Sequence, residues 1–267
     1  MSPTLAFNLG AFVALLPVTA LSFRRPGARD RLFFALLGLA LVVPALWVGM
    51  QDESAWHTGF AMSLWLIIVA SLAIFLALSL MTRHAWQLAP LLLPYLVLLG
   101  VAAVIWQHAP ERPVGDLVPT GWFDAHIVLA VATFGLLTIA AVAGLAVFLQ
   151  ERALKAKRPN ALTRLLPGVG ASEALELRLI AATEAVLALG LLSGMAAEYF
   201  RTGHLLTFTH KTLFSLAAFA VIGVLLIARY SRGIRGRQAA RLALLAYLLL
   251  ALAYPGVKFV TDVVLAR

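Results

Sequence analysis

The chain has 267 residues, 62% hydrophobic and 12% charged, whereas soluble domains carry about 25% charged residues; it cannot cover a water-soluble globule and reads as all-α, a polytopic membrane helical bundle forming one domain over 1–267. The lack of cysteine excludes disulfides, thiolate metal sites, thiol redox chemistry and covalent heme attachment to this chain. The net charge of +9 does not point to nucleic acid, because the basic residues lie between apolar runs, where they set membrane orientation.

Apolar runs fall at about 4–22, 32–50, 59–81, 87–106, 125–149, 177–198, 207–228 and 240–265. Each is close to the roughly 20 residues that cross a hydrocarbon core, so the chain is expected to have about eight transmembrane helices. The first run has no positive residue before it, and Arg24 and Arg25 follow it. That pattern predicts an uncleaved first helix with its N-terminus outside. The first connection then holds Arg24, Arg25, Arg29 and Arg31, and the third holds Arg83. The fifth carries Arg152, Lys155, Lys157, Arg158 and Arg164, and the seventh Arg229, Arg232, Arg235 and Arg237. The second, fourth and sixth are acidic or weakly charged, with Asp52, Glu53, Glu111, Asp116 and Glu198. By the positive-inside rule the odd connections are cytoplasmic and both termini lie outside. One missed span would break this alternation.

Two connections are long. The outer one, 107–124, ends in Trp122 and Phe123, which suit a membrane interface. The inner one, 150–176, is basic and ends near Pro167 and Gly168. The 150–165 part of it is a candidate docking surface for a membrane protein partner. No phosphate-binding loop, Ser/His/Asp order, zinc spacing or internal repeat is present.

Five of the six histidines, His57, His108, His126, His204 and His210, map to the outer half, and only His84 lies inside. Loop histidines are easily solvated, which sets His57, His108 and His204 aside. His126 and His210 each open a helix that starts outside, with Asp124 expected to cap the fifth helix and Thr207 or Thr209 the seventh. A helix N-terminus disfavours imidazolium, and neutral imidazole is the form that ligates metals. Two readings stand: interfacial histidines bonded to their own loops, or ligands flanking one outer pocket between the fifth and seventh spans. Lys211 and Lys258 are the basic residues nearest the outer ends of the last two helices. They are either cationic seats for an anionic ligand or, for Lys258, half of a local pair with Asp262 four residues on. Glu184 is expected about two turns into the sixth helix from the inner side, as a proton relay or a structural hydrogen-bonding group. Gly190 and Gly194 beside it are expected to permit close helix packing.

The segments HIVLAVATFGLLTIAAVAGLAVFLQERALK (126–155), LRLIAATEAVLALGLLSG (177–194) and HKTLFSLAAFAVIGVLLIARYSRGIRGRQAAR (210–241) resemble the cytochrome c assembly protein family, the CcsA/CcmC group of heme-handling membrane proteins. The likeness is strongest over 120–262 and, in length and span number, closest to the short YpjD-type inner-membrane proteins. The family's tryptophan-rich outer ligase motif has no counterpart here. Where ligases read Trp-Asp-Pro-Lys-Glu-Thr-Trp-Ser-Leu, this chain has Phe208 to Leu216, matching only at Lys211, Ser215 and Leu216. The resemblance implies a multi-pass protein of the bacterial inner membrane that binds or passes non-covalent heme b at its outer face in cytochrome c-type biogenesis, without being an enzyme. It implies heme iron ligation by His126, the counterpart of the family's outer histidine; the family's second heme histidine has no counterpart here, and His210 stands only as a substitute ligand suggested by its own place at a helix start, not as a residue carried over from the family. Trp122, Lys211 and Lys258 would complete the heme site, and the partners would be membrane lipid and heme, not nucleic acid. Two other functions fit the residues: a heme-free scaffold that regulates a tetrapyrrole enzyme or a transporter, and a small proton-coupled transporter resting on Glu184.

Overall fold

The computed structural model describes residues 3–24, 30–50, 59–108, 120–205, 207 and 209–264, and every regular element among them is helical. Eight helices follow in chain order: α1 (Pro3–Ser22), α2 (Arg31–Gly49), α3 (Phe60–Met81), α4 (Ala89–Ile105), α5 (Thr120–Lys155), α6 (Val169–Thr202), α7 (His210–Arg232) and α8 (Arg237–Ala251). All eight runs are long and apolar enough to cross a membrane, α4 with its preceding turn and α8 with its extension. The expected span number therefore holds. The acidic residues of the second and fourth connections, and His57, lie outside the described residues.

Local chemistry sets the helix ends. Asp30 caps α2 by accepting from the Leu32 amide at 3.0 Å. A 3-10 turn, Ala85–Leu88, leads into α4, and Pro90 sits in the first turn of α4, where its missing N–H costs nothing. Thr209 caps α7, as expected, by accepting from the Thr212 amide at 3.4 Å. Gly203 and Gly233 close α6 and α7 in left-handed conformations, φ 74° and 65°, which glycine adopts without a Cβ clash. Beyond Ala251 the last helix widens into π-helical turns over Leu252–Gly256 and Phe259–Val264.

Two expectations change here. The fifth and sixth helices are far longer than their apolar runs, 36 and 34 residues. Glu151, Arg152 and Lys155 are good helix formers, and cations suit a helix C-terminus, so charge does not stop α5. The expected docking loop at 150–165 is therefore helical as far as Lys155, and the true connection is 156–168. Arg229, assigned by sequence to a connection, lies inside α7 and is 9% exposed.

The α5–α6 hairpin forms the most extensive helix contact; α3 and α8 pack on α5, while α1 packs on α2 and α4, and α7 packs mainly on α8. Trp65, Ile68, Leu72, Phe75, Leu92 and Leu137 are fully buried at its centre. Small residues set the closest approaches, as lipid-embedded helices require. A Cβ on Gly135 would lie 3.2 Å from the Ala70 backbone of α3, and one on Gly144 would lie 3.3 Å from the Ala240 backbone of α8. The polar groups of the core are tied to one another. The Trp65 indole donates to Asn8 at 2.7 Å, the Asn8 amide donates to Gln107 at 3.1 Å, and the Tyr95 and Tyr247 hydroxyls bond across α4 and α8.

Candidate functional site

At the end of the α5–α6 hairpin away from its basic connection, two side chains of α5 meet one residue of α6. The Trp122 indole nitrogen donates to the Ser193 carbonyl at 3.0 Å, and His126 Nδ1 lies 2.8 Å from Ser193 Oγ. Ser193 is 7% exposed, and its hydroxyl donates to the Gly190 carbonyl at 2.9 Å. A hydroxyl has one proton, so toward His126 the serine oxygen can only accept. With the hydroxyl proton on the Gly190 carbonyl, Nδ1 carries the imidazole hydrogen and Nε2 keeps its lone pair. A second partner that fixes the tautomer in this way is the usual support of a metal-ligating histidine.

The Cε1 edge of the ring lies close against α6 because Gly194 is a glycine. A Cβ there would lie 3.0 Å from His126 Cε1. The expectation of close helix packing at these glycines is corrected: the near neighbour of Gly194 is the His126 imidazole, and a Cβ on Gly190 would meet only Leu129 Cβ, at 3.9 Å. His126 itself lies in the second turn of α5, because the helix begins at Thr120 and Asp124 is already inside it. The expected Asp124 cap is thus corrected: the helical pattern runs on through Gly121 and Trp122 before the apolar run begins.

The other predicted residues stand on other elements. His210 and Lys211 are exposed in the first turn of α7, a helix whose main neighbours are α8 and α6. Lys258 lies on the extension of α8 and is 7% exposed, with Nζ 5.3 Å from the centre of the Tyr254 ring, within cation–π range. Phe259 next to it stacks edge-on with Trp106 at 5.2 Å and lies 5.5 Å from Phe60. The Asp262 side chain, the expected local partner of Lys258, lies outside the described residues. Trp122 and His126 are thus brought to one point, whereas His210 and Lys211 stand on α7 and Lys258 on the extension of α8.

Glu184 is deeper than expected. It lies 15 residues beyond Val169, about 22 Å along the axis from the start of α6 at 1.5 Å per residue. Its Oε2 has no hydrogen-bond partner among the described residues, and its Oε1 lies 3.1 Å from where a Cβ on Gly223 would be.

The basic end holds a buried network that the sequence reading did not single out. Arg229 Nη1 of α7 pairs with Glu176 Oε2 of α6 at 3.1 Å, with side chains 6% and 0% exposed. Arg229 Nη2 donates to the Glu173 carbonyl at 2.9 Å, and Glu173 Oε1 accepts from the Gly236 amide at 2.9 Å. One signal was available: Arg229 falls on the face of Ala218, Ile222 and Leu225, the buried stripe of α7.

A family model described as "Cytochrome C assembly protein" matches residues 30–265. The chain is also 52% identical over 270 residues to a protein of Azospirillum brasilense described as an uncharacterized 28.8 kDa protein in the nifR3-like 5' region, a match covering 99% of this chain and 100% of that relative.

Proposed function

Because the chain belongs to the cytochrome c assembly protein family, whose members handle heme, we propose that it binds or passes non-covalent heme at the outer face of a bacterial inner membrane. The observation that carries this reading is the Ser193-oriented His126, whose Nε2 retains a lone pair beside the exposed indole of Trp122. These residues fit heme: an imidazole of fixed tautomer can hold the iron, and an amphipathic indole at the interface can lie against a porphyrin face. His210 is the proposed second ligand. Lys211 and Lys258 are the proposed cationic seats for the propionates. Heme supplies the iron and vinyl chemistry; the chain holds and orients it, and in this reading it is not an enzyme. Its length and eight spans fit the short subgroup of the family.

The test is the absorbance of the protein purified from heme-replete cells. Wild type is expected to show a heme Soret band, and His126→Ala to lose it, with partial return on adding free imidazole. Ser193→Ala should fold and keep the ligand but weaken heme binding by about 10–100-fold, the usual effect of removing a ligand's orienting partner. A spectrum unchanged in His126→Ala would remove His126 as a ligand. Wild-type protein without heme would favour the scaffold reading.

The same proposal places both termini outside the cytoplasm. The chain has no cysteine, so single-cysteine variants give unambiguous labelling. A cysteine at position 155 should be shielded from membrane-impermeant maleimide in intact cells, and one at position 204 should react. Labelling of 155 but not 204 would invert the topology and the site with it.

A further inference from the structure

The basic end carries a cavity of about 240 Å³, below the roughly 300–1,000 Å³ of pockets for drug-sized ligands and suited to a headgroup-sized ligand. Ser22 at the end of α1, Trp86 and Gln87 in the 3-10 turn, Pro90 in the first turn of α4, and Arg164 and Leu165 of the α5–α6 connection line it. These positions fall at helix ends, where a bilayer's headgroup region meets the bundle, and the lining includes a cation, an amide, a hydroxyl and an indole.

The cationic side of this cavity is rigidly built. The Gln150 amide donates to the carbonyls of Thr163, Leu166 and Pro167 at 2.8, 3.3 and 3.1 Å, bracketing Arg164. Asn160 and Thr163 cap each other: the Thr163 amide donates to Asn160 Oδ1 at 2.8 Å and the Asn160 amide to Thr163 Oγ1 at 3.0 Å. Thr163 and Leu166, on either side, are buried. Arg164 is exposed, and its guanidinium has no ion pair among the described residues. The Trp86 indole, which also lines the cavity, is fixed by donating to the Arg83 carbonyl at 3.0 Å. The clamped backbone holds the cation's stem beside an interfacial indole, so on binding an anion only the Arg164 side chain has to be ordered.

We propose that this cavity seats the phosphate headgroup of an anionic phospholipid from the surrounding leaflet, with Arg164 as its counter-charge. The site is separate from the outer-face histidine, so it stands whether or not heme binds. Basic pockets between transmembrane helices on the cytoplasmic side hold anionic headgroups by this chemistry.

The experiment titrates the full-length protein in neutral detergent with phosphatidylglycerol, phosphatidylcholine or inorganic phosphate, reading bound lipid by native mass spectrometry and stability by thermal melting. Phosphatidylglycerol should bind more tightly than phosphatidylcholine and raise the melting temperature. Arg164→Gln should weaken phosphatidylglycerol binding roughly five- to tenfold, the loss of one well-placed charge at a lipid surface. Arg232→Gln, an exposed basic residue at the end of α7, should leave it unchanged. Equal weakening by both variants, or none by Arg164→Gln, would overturn the site. Stabilisation by inorganic phosphate equal to that by phosphatidylglycerol would overturn the lipid as its occupant and assign a free anion instead.

Discussion

Arg229→Ala is expected to remove about 3–5 kcal/mol of folding stability, the loss that follows when one partner of a buried ion pair is taken away. The carboxylate left behind, Glu176, is fully buried, and its other oxygen already lacks a hydrogen-bond partner among the described residues. Arg229 also ties α7 to the Glu173 carbonyl, while the Glu173 carboxylate holds the Gly236 amide at the start of α8. Arg229 and the Glu173 carboxylate together therefore join three helices at the basic end. Arg232→Ala, one turn on and exposed, should stay within about 0.5 kcal/mol of wild type. The comparison is made by denaturant unfolding in detergent. Replacing both partners, Glu176→Leu with Arg229→Leu, should recover most of the loss, because no buried charge remains. Equal stability of Arg229→Ala and Arg232→Ala would show that the pair contributes nothing.

The second large effect is expected at Gly144. An added Cβ would lie 2.7 Å from Glu176 Oε1 and 3.3 Å from the Cα of Ala240. Neither obstacle can retreat easily: Arg229 pins the carboxylate, and the other atom is α8 backbone. Gly144→Ala should cost about 1–3 kcal/mol, the range for overpacking a well-filled core, despite alanine's better helix propensity. Gly190→Ala is the control, because its Cβ would meet only Leu129 Cβ, at an ordinary 3.9 Å. It should be neutral or slightly stabilising. The Gly144 and Glu176 substitutions should also be non-additive, as expected for residues in contact. If Gly144→Ala is no worse than Gly190→Ala, the close approach of α5, α6 and α8 does not hold.

The spans were legible because lipid imposes one rule on all of them, an uncharged run long enough to cross. Helix ends were less legible, because hydropathy changes where charge begins, whereas a helix stops where the backbone can no longer continue. Past Lys155 the stop is made by Lys157, at φ 51°, and by Pro159 two residues on, not by Glu151 or Arg152. The same difference misplaced Glu184 by about two turns and put Arg229 outside its helix. At the candidate site, His126 could be singled out from its place near the start of a helix. Ser193, 67 residues away in sequence, could not, because no periodicity links a side chain to the partner that fixes its tautomer. The Glu176–Arg229 pair was missed for a related reason. Each residue read singly is a charge near a helix end, and only the packing of α6 on α7 makes the two a buried unit.

The widened turn beyond α8 behaves like a frameshift in a helical message. Buried positions along α8 run 239–240, 243, 246, 250 and 253, a rhythm of threes and fours whose next beat in an unbroken α-helix is 257. The turn over Leu252–Gly256 spends one residue more than an α-helical turn, and the buried position becomes Lys258 instead. In strict α-helical phase, Lys258 would be rotated about 100° around the axis, away from the bundle and toward lipid. One extra residue in the turn thus decides whether that ammonium faces protein or hydrocarbon.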